Sequence, residues 1–570
     1  MIILGICNDE TASACLMVHG EIVAAASEER FSRVKMDNSF PQQSIDYCLN
    51  HAGLTLADVE VVAYSWYKGF QPRLLAEYVR RAQELADNPE SIAILQERIA
   101  VEITQDEAKR REYDDWLARN IDRRTTEVLD FHHHEAHAAS AAWFSPFDKG
   151  VAYTSDGRGD FEATTLWKFD RSAYPALTNL YSSLSTDSFG FFYGRITGLL
   201  GYRPMRHEGK ITGLAALGDP QPAMDLMRRM IRVENGRVLA GLGDFYRPFF
   251  TNYSPETEAE IAKYKKEDVA AAAQLHLENE MCALIDHYLA ADDMTDVNVM
   301  LAGGVFGNVK VTHRIKSLDR VGDAYVQPQM GDGGLCLGAC ALAQAEMQHR
   351  GRTEHGVKPL KTMYLGPTPG DGHGATLERT TYALSEGAQA FAQALSNNVV
   401  IGLMQGRMEF GPRALCNRSI IYRTSDRTIN DWLNKRMDRT EFMPFAPVMR
   451  AETAPAAIQD YREGDITLDF MTATIDCTED FAEKCPAVVH VDGTARPQIV
   501  TEESNRFIWM ALREWEDLSG EMSLVNTSFN AHEEPIVCTF DEGAHGLDTG
   551  MIDELWVVEG NEVSRYAKAR

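Results

Sequence analysis

Apolar and polar residues alternate in short runs at the start of the chain, a pattern that predicts β-strands joined by tight turns. Three such runs, over residues 2–6, 12–18 and 21–26, are separated by a polar turn and a His-Gly turn. Residues 74–124 differ, because Ala, Leu, Glu and Arg recur there at helical spacing with almost no glycine. We therefore predict an antiparallel meander that opens an α/β domain, followed by a helical insertion over about residues 74–124.

The strand-turn-strand outline returns after the insertion. Residues 150–154 and 164–169 have strand character on either side of the polar, glycine-containing turn at 155–160. A later strand over 297–301 runs into a glycine-rich turn, and another strand ends in the turn at 331–334 before a helix. This repetition predicts an α/β fold of the two-lobed actin and sugar-kinase (ASKHA) type.

The composition becomes polar and basic around residues 349–358, with Gly and Pro following, which is typical of a linker. We therefore predict two domains, 1–352 and 353–570, the second with its own strands and helices. A length of 570 residues with 44% hydrophobic content agrees with more than one core.

Charge and cysteine usage narrow the function classes. The formal net charge of -28 and the lack of a basic stripe argue against a nucleic-acid partner. The sequence has no run of about 18 apolar residues, so no membrane span is predicted. The first residues do not resemble an export signal. Ten scattered cysteines without a C-x-x-C pair suit reduced thiols. A cytoplasmic protein is expected, and a homodimer stays open.

Two histidines in the first half have the spacing of metal ligands. His133 and His137 stand four residues apart, so their rings project from one face of a helix. Asp156 and Asp332 lie in turns at strand ends, where carboxylates can converge on the same site. Two histidines with carboxylates suit a divalent transition metal. The alternative is that the histidines only bond to backbone at a helix start.

Glycine-rich turns in the same half are candidates for a nucleotide-phosphate site. Backbone N–H groups at Gly303, Gly304 and Asn308 would stand at a helix start, and Gly333 lies in the next such turn. Lys210 adds a cation beside small residues. Glycines that only permit a tight turn, and a lysine that is only a surface charge, are the alternatives.

The second half carries a cationic cluster that is unusual in so acidic a chain. Forked guanidinium groups bind phosphates well, although some of these side chains can instead pair with Glu409, Asp431 and Glu441. The cluster comprises Arg407, Arg413, Arg418, Lys435, Arg436 and Arg439.

The ordered motifs of both halves resemble the NodU/CmcH family of O-carbamoyltransferases along nearly the whole chain. In the first half the matching blocks are 28–33, 133–141, 155–159, 208–210, 303–305 and 331–334. In the second half they are 409–415, 417–419, 444–447, 492–498, which includes Arg496, and 526–530.

The resemblance implies two chemistries in one chain. The family's first domain is similar to the universal tRNA threonylcarbamoyl transferase, and its second to YrdC, which makes carbamoyl adenylates. It further implies that His133, His137, Asp156 and Asp332 hold an iron-type metal. Ser528 and Asn530 fall on an S-x-N element that contacts nucleotide phosphates.

The implied activity is ATP-dependent carbamoyl transfer. Carbamoyl phosphate and ATP would give carbamoyl adenylate, and a hydroxyl of a small molecule or sugar would then accept the carbamoyl group. His133, His137, Arg413 and Lys435 are the expected catalytic residues, with ATP and Fe²⁺ or a similar metal as cofactors and Mg²⁺ as an option beside ATP. A tRNA-modifying enzyme and a catalytically silent nucleotide-binding regulator are the alternatives.

Two positions depart from the family pattern. Residues 9–12 are closer to the tRNA-modifying relative than to the His-Asp-Ala-Ser pattern of antibiotic carbamoyltransferases. Met437 stands where the K-x-R element of YrdC-like domains has its lysine, so Lys435 or Arg436 is expected to supply that charge.

Overall fold

A computed structural model describes residues 1–66, 69–243, 245–248, 254–370, 372, 377–438 and 443–568. The chain forms two compact units, Met1–Glu28 with Asn38–Leu360, and Glu29–Asp37 with Lys361–Arg570. The division after Leu360 lies a little later than the predicted division after Arg352. The sequence also gave no sign that residues 29–37 join the second unit, where Arg33 donates to the carbonyls of Pro535 and Ile536 at 2.9 Å each.

Two five-stranded sheets of the same topology form the frame of the first unit. Their orders are β3-β2-β1-β4-β5 and β8-β7-β6-β11-β12, each with an antiparallel meander followed by two parallel strands. The strands of this unit are β1 (Ile2–Cys7), β2 (Ser13–Val18), β3 (Glu21–Ser27), β4 (Val61–Tyr64), β5 (Glu127–Asp130), β6 (Lys149–Gly159), β7 (Glu162–Asp170), β8 (Leu177–Leu184), β9 (Ile231–Glu234), β10 (Arg237–Ala240), β11 (Val297–Ala302) and β12 (Val321–Val326). The repeat confirms the predicted actin-like α/β class.

Helices cover the two sheets, and the segments that carry the candidate site residues lie at the edges of these sheets. Proline at the first turn and an Asn88 side chain that accepts from two backbone N–H groups fix the start of the long α4. After α1 (Glu29–Ser32), which belongs to the second unit, the helices are α2 (Gln42–Ala52), α3 (Pro72–Glu84), α4 (Pro89–Asn120), α5 (His133–Ala142), α6 (Phe189–Leu199), α7 (Glu208–Ala215), α8 (Met224–Met230), α9 (Pro255–Ile261), α10 (Lys266–Ala291), α11 (Val309–Lys316) and α12 (Leu335–His349). Helices α3 and α4 occupy the stretch predicted as a helical insertion.

The second unit is built on one mixed eight-stranded sheet of order β13-β22-β21-β14-β15-β20-β16-β19. Its strands, with the separate antiparallel pair β17 and β18, are β13 (Leu377–Ala383), β14 (Ile401–Gln405), β15 (Arg418–Tyr422), β16 (Ala446–Arg450), β17 (Ile475–Asp476), β18 (Thr494–Ala495), β19 (Gln498–Val500), β20 (Leu524–Ser528), β21 (Glu554–Glu559) and β22 (Glu562–Lys568). The helices are α13 (Leu384–Ser396), α14 (Thr428–Arg436), α15 (Ala454–Ala457), α16 (Ile466–Asp469), α17 (Glu479–Lys484), α18 (Arg506–Ser519) and α19 (Phe540–Asp548).

Aromatic packing anchors the helices of the second unit to its sheet. Phe391 of α13 packs edge-on against Trp556 of β21, with ring centroids 5.2 Å apart, and Trp515 of α18 is buried in the same cluster. Among the described residues of the whole chain, no helix is both long and apolar enough to cross a membrane.

Candidate active site

Helix α5 presents both predicted histidines to the ends of the two sheets. Its start is fixed by Asp160, whose carboxylate accepts the backbone N–H of His133 at 2.9 Å. The His133 ring packs against Gly159, where an added Cβ would lie 2.1 Å from the imidazole. The ring therefore has room only because residue 159 is glycine.

The four predicted metal ligands converge. Asp156 near the end of β6 and Asp332 in the 3₁₀ turn Asp332–Gly334 face the α5 histidines. His137 Nε2 lies 3.1 Å from Asp156 Oδ2 and 3.5 Å from Asp332 Oδ1. His133 Nε2 lies 4.0 Å and 3.8 Å from the same two oxygens. One ligand atom from each residue falls within 4.8 Å of the other three.

This ligand set fits a divalent transition metal. Both ring nitrogens of the fully buried His133 lack a hydrogen-bond partner among the described residues. A buried polar atom without a partner costs free energy, and a metal bond to Nε2 removes that cost at one nitrogen. Two imidazoles and two carboxylates, with coordination positions left for other ligands, suit such an ion.

Burial and neighbouring charges give His133 and His137 opposite protonation states. Burial lowers the pKa of His133 to about 3, so its ring is neutral. Burial opposes charging His137 as well, but the carboxylates of Asp156 and Asp332 outweigh it and raise its pKa to about 9. Burial, together with the Asp156 charge, raises the pKa of Asp332 well above its usual range. Without a metal, His137 and Asp332 therefore hold protons, and a bound cation would take the place of that positive charge.

Metal affinity is expected to rise with pH between about 7 and 9. Because a metal ligand must be deprotonated, binding releases the His137 proton below its pKa of about 9, and affinity gains about tenfold per pH unit from this proton alone. Equilibrium titration of metal-stripped protein at several pH values measures this slope. A flat affinity over that range would contradict the proposed protonation of His137.

Several residues predicted to bind a nucleotide have structural contacts in the first unit. The Gly304 N–H donates to the Asp156 carboxylate at 3.2 Å, so it orients a metal ligand. Asn308 caps α11 and donates to Gln274 at 2.8 Å. Gly303, at φ +100°, and Gly333 lie where a Cβ would meet a neighbour within 2.3 Å. Lys210 is buried on α7. Nucleotide binding by these five residues stays a prediction.

Two charged residues next to the metal ligands were missed by the sequence analysis. Asp160 fixes the start of α5, and Arg158 pairs with the buried Asp106 of α4 at 2.8 Å. Burial raises the pKa of Asp106 to about 6. The only sequence signal was the position of Arg158 and Asp160 just after Asp156, because their partners lie far away in the chain.

In the second unit, a loop that follows β14 closes over one end of the sheet. The buried Glu409 carboxylate accepts the N–H groups of Leu415 at 2.6 Å and Asn417 at 2.8 Å, which shapes the loop. Asn526 of β20 donates to the Ala414 carbonyl at 3.0 Å and to Gln498 of β19 at 2.7 Å. Loop, β19 and β20 therefore meet at this end of the sheet.

Three predicted phosphate contacts lie within two residues of these bonds: Arg413, Arg496 and Ser528. Burial lowers the pKa of the half-buried Arg413 guanidinium to about 10, so it remains charged near neutral pH. Asn530, in contrast, donates to the carbonyls of Ala531 and Glu534 at 2.7 and 3.0 Å and holds its own turn. The arginines and Ser528 form the better candidate site.

Arg418, a predicted phosphate contact, has extensive hydrogen bonds to the backbone. Its fully buried guanidinium donates to main-chain carbonyls of Gln405, Gly406 and Asn417 between 2.7 and 3.3 Å, and to those of Pro367 and Cys538 at 3.0 and 3.3 Å. These bonds use its donors to tie backbone segments together. These bonds give Arg418 a structural role, and its contact with a phosphate stays a prediction.

Replacing Arg418 by methionine is expected to lower the free energy of unfolding by about 3 kcal/mol or more, since several buried carbonyls lose their donor. Urea denaturation of the Arg418→Met protein measures the loss. The exposed Arg427, replaced by alanine, is the control and should change stability little. Equal stability of both variants would contradict the structural role.

The remaining cations of the cluster differ in their surroundings. Arg436 pairs with Asp553 at 2.5 Å, and Arg407 donates to the Gly366 carbonyl at 3.1 Å. Met437 is buried in the core, whereas Lys435 is exposed on α14. Arg439 lies outside the described residues. Since Arg436 already has an acidic partner, Lys435 is the better candidate for the missing lysine, and this stays a prediction.

Known protein families and proteins resemble this chain over most of its length. Residues 2–341 match the family model described as carbamoyltransferase N-terminus, and residues 392–563 match the one described as carbamoyltransferase C-terminus. The nodulation protein NolNO of Sinorhizobium fredii is 30% identical over 95% of this chain and 77% of its own length. An uncharacterised protein of Synechocystis sp., sll1178, is 29% identical over 93% of this chain and 91% of its own.

Among solved structures, full-length HypF in its phosphate- and nucleotide-bound form aligns with 61% of this chain and 46% of its own at 16% identity and a TM-score of 0.33. The two compact units and the duplicated sheets define a two-unit protein whose first unit has the actin-like α/β fold. The chain belongs to the carbamoyltransferase family, since the N-terminal family model alone matches more than half of it.

Proposed function

We propose that this protein is an ATP-dependent O-carbamoyltransferase that uses carbamoyl phosphate and delivers the carbamoyl group to a hydroxyl of a small molecule or sugar. The observation that carries the proposal is the convergence of His133, His137, Asp156 and Asp332 in a chain that matches both family models. A silent regulator would have no chemical need for such a site.

The second unit is proposed to activate the carbamoyl group. Hydrolysis of carbamoyl phosphate by water gives carbamate and inorganic phosphate. A carbamate oxygen then attacks the α-phosphorus of ATP, which forms carbamoyl adenylate and releases pyrophosphate. Arg413 and Arg496 would neutralise the charge that develops on the phosphates, while the Ser528 hydroxyl donates to a phosphate oxygen. Mg²⁺ accompanies ATP in this scheme.

The first unit is proposed to transfer the carbamoyl group. His133, His137, Asp156 and Asp332 would hold Fe²⁺ or a similar ion, which supplies Lewis-acid polarisation of the carbamoyl oxygen. The acceptor hydroxyl attacks the carbamoyl carbon, and AMP leaves. Burial and the nearby Asp9 and Asp156 raise the pKa of Glu10 to about 7, which suits it to accept the hydroxyl proton.

The experiment that tests this function combines the protein, ATP and carbamoyl phosphate with pooled hydroxyl compounds or with tRNA. AMP, pyrophosphate and a product heavier by one carbamoyl group are expected with a hydroxyl compound. Modified tRNA would favour the tRNA-modifying alternative, which the net charge of -28 disfavours. Absence of both AMP and pyrophosphate with every acceptor would overturn the proposal.

A further inference from the structure

An open apolar groove runs between α3 and α4 of the helical insertion. Its volume is about 440 Å³, and its lining is formed by Phe70, Leu75, Tyr78, Ile99, Ile103 and Phe161. Leu75 is 56% exposed and Ile103 is 40% exposed, values that are unusual for large apolar side chains grouped in one place. A contiguous exposed apolar surface of this kind marks a binding site.

The β6–β7 hairpin contacts both the groove and His133 of the proposed metal centre. Gly159 packs on the His133 ring, Asp160 accepts the His133 N–H, and Phe161, one residue later, lines the groove. The tip residues Asp160 and Phe161 both have positive φ, at 48° and 69°. Two peptide links, which span at most about 7.6 Å, therefore separate the backbone against the imidazole from the groove.

Aromatic rings pack against both His133 and Phe161. Trp66 packs edge-on against the His133 ring with centroids 4.3 Å apart, and the ring of Phe70 lies 5.2 Å from that of Phe161. Arg73 of α3 holds the buried Glu162 carboxylate with bonds of 2.8 and 3.0 Å. Helix α3 is thereby fixed to the hairpin that contacts His133.

From this proximity we propose that the groove binds the apolar part of an amphipathic acceptor, whose hydroxyl is carbamoylated at the proposed metal centre. The inference rests on the proposed function and narrows its substrate class. Apolar lining beside a site for a polar reaction suits a molecule that has both characters. A second copy of the chain on this face is the competing occupant, and the test separates the two.

The test uses n-alkyl glucosides from methyl to octyl as acceptors, with carbamoyl transfer measured for each length. Each methylene that enters the groove should lower KM by about 2- to 4-fold. Leu75→Asp and Ile103→Asp should flatten this dependence, because a carboxylate disfavours the alkyl chain. Transfer to methyl glucoside should stay as in the wild type. Leu217→Asp is the matched control, since Leu217 is also 56% exposed but lies on α7's C-terminal side, away from the groove lining.

Two further measurements separate the possible outcomes: the binding of octyl glucoside and the mass of the protein in solution. Calorimetric binding of octyl glucoside that is lost in Leu75→Asp but kept in Leu217→Asp supports the groove even where no transfer is seen, so failure of the proposed function is distinguishable. Chain-length dependence that is absent in the wild type, or unchanged in both groove variants, overturns the inference. Conversion of a dimer to a monomer by both groove substitutions, with unchanged acceptor preference, would assign the face to self-association and also overturn it.

Discussion

Alanine in place of His137 is expected to abolish carbamoyl transfer and to remove the bound metal, while pyrophosphate release continues. Loss of a partner outside the metal's own ligands typically costs about 10- to 100-fold, so loss of a ligand should lower transfer more than about 100-fold. His133→Ala should behave alike, because both Nε2 atoms face the same two carboxylates. Metal analysis of the purified variants and transfer from supplied carbamoyl adenylate measure both effects.

The exposed His287, replaced by alanine, is the control for loss of a histidine. It should keep the wild-type metal content and activity. Full transfer by a verified metal-free His137→Ala protein would show that the four-residue cluster is not the transfer site.

Arg413→Ala is expected to slow the ATP-dependent half-reaction by about 10- to 150-fold, because loss of a charge-assisted hydrogen bond to phosphate costs about 1.5 to 3 kcal/mol. The measurement is carbamoyl-phosphate-dependent pyrophosphate release. Since Arg413 lies in the second unit, transfer from supplied carbamoyl adenylate should stay near the wild-type rate. Arg413→Lys keeps the charge but loses the fork, so an intermediate rate is expected.

Normal pyrophosphate release by Arg413→Ala would transfer the phosphate role to Arg496 and Ser528. Equal loss of both half-reactions would mean that the two sites do not work independently. The first result would remove Arg413 from the proposed adenylate-forming machinery, and the second would contradict the proposed division of the two half-reactions between the units.

Local spacing favoured the convergence of four side chains, and the family resemblance implied that they hold a metal. His133 and His137 share a helical face by their separation alone, Asp156 lies near the end of β6, and Asp332 lies in a turn that follows β12. The duplication within the first unit was also predicted in outline, since the strand-turn-strand pattern occurs twice there. These features depend on residues that are close in sequence or that the sheet topology brings together.

Features that depend on distant partners could not be predicted. The charge of Arg418 is visible in the sequence, whereas the carbonyls of Pro367 and Cys538 that accept its hydrogen bonds are not. The sequence likewise did not show that the Asn308 side chain caps α11. The groove residue Phe161 gave no signal at all, because only the fold brings it beside α3 and α4.

The central claim is that one chain both activates and transfers a carbamoyl group. Exchange of labelled pyrophosphate into ATP, without any acceptor, tests the activating half most directly. The account predicts exchange that requires carbamoyl phosphate, that persists in His137→Ala and that falls in Arg413→Ala. Absence of exchange in the wild type, or exchange that does not depend on carbamoyl phosphate, would contradict it.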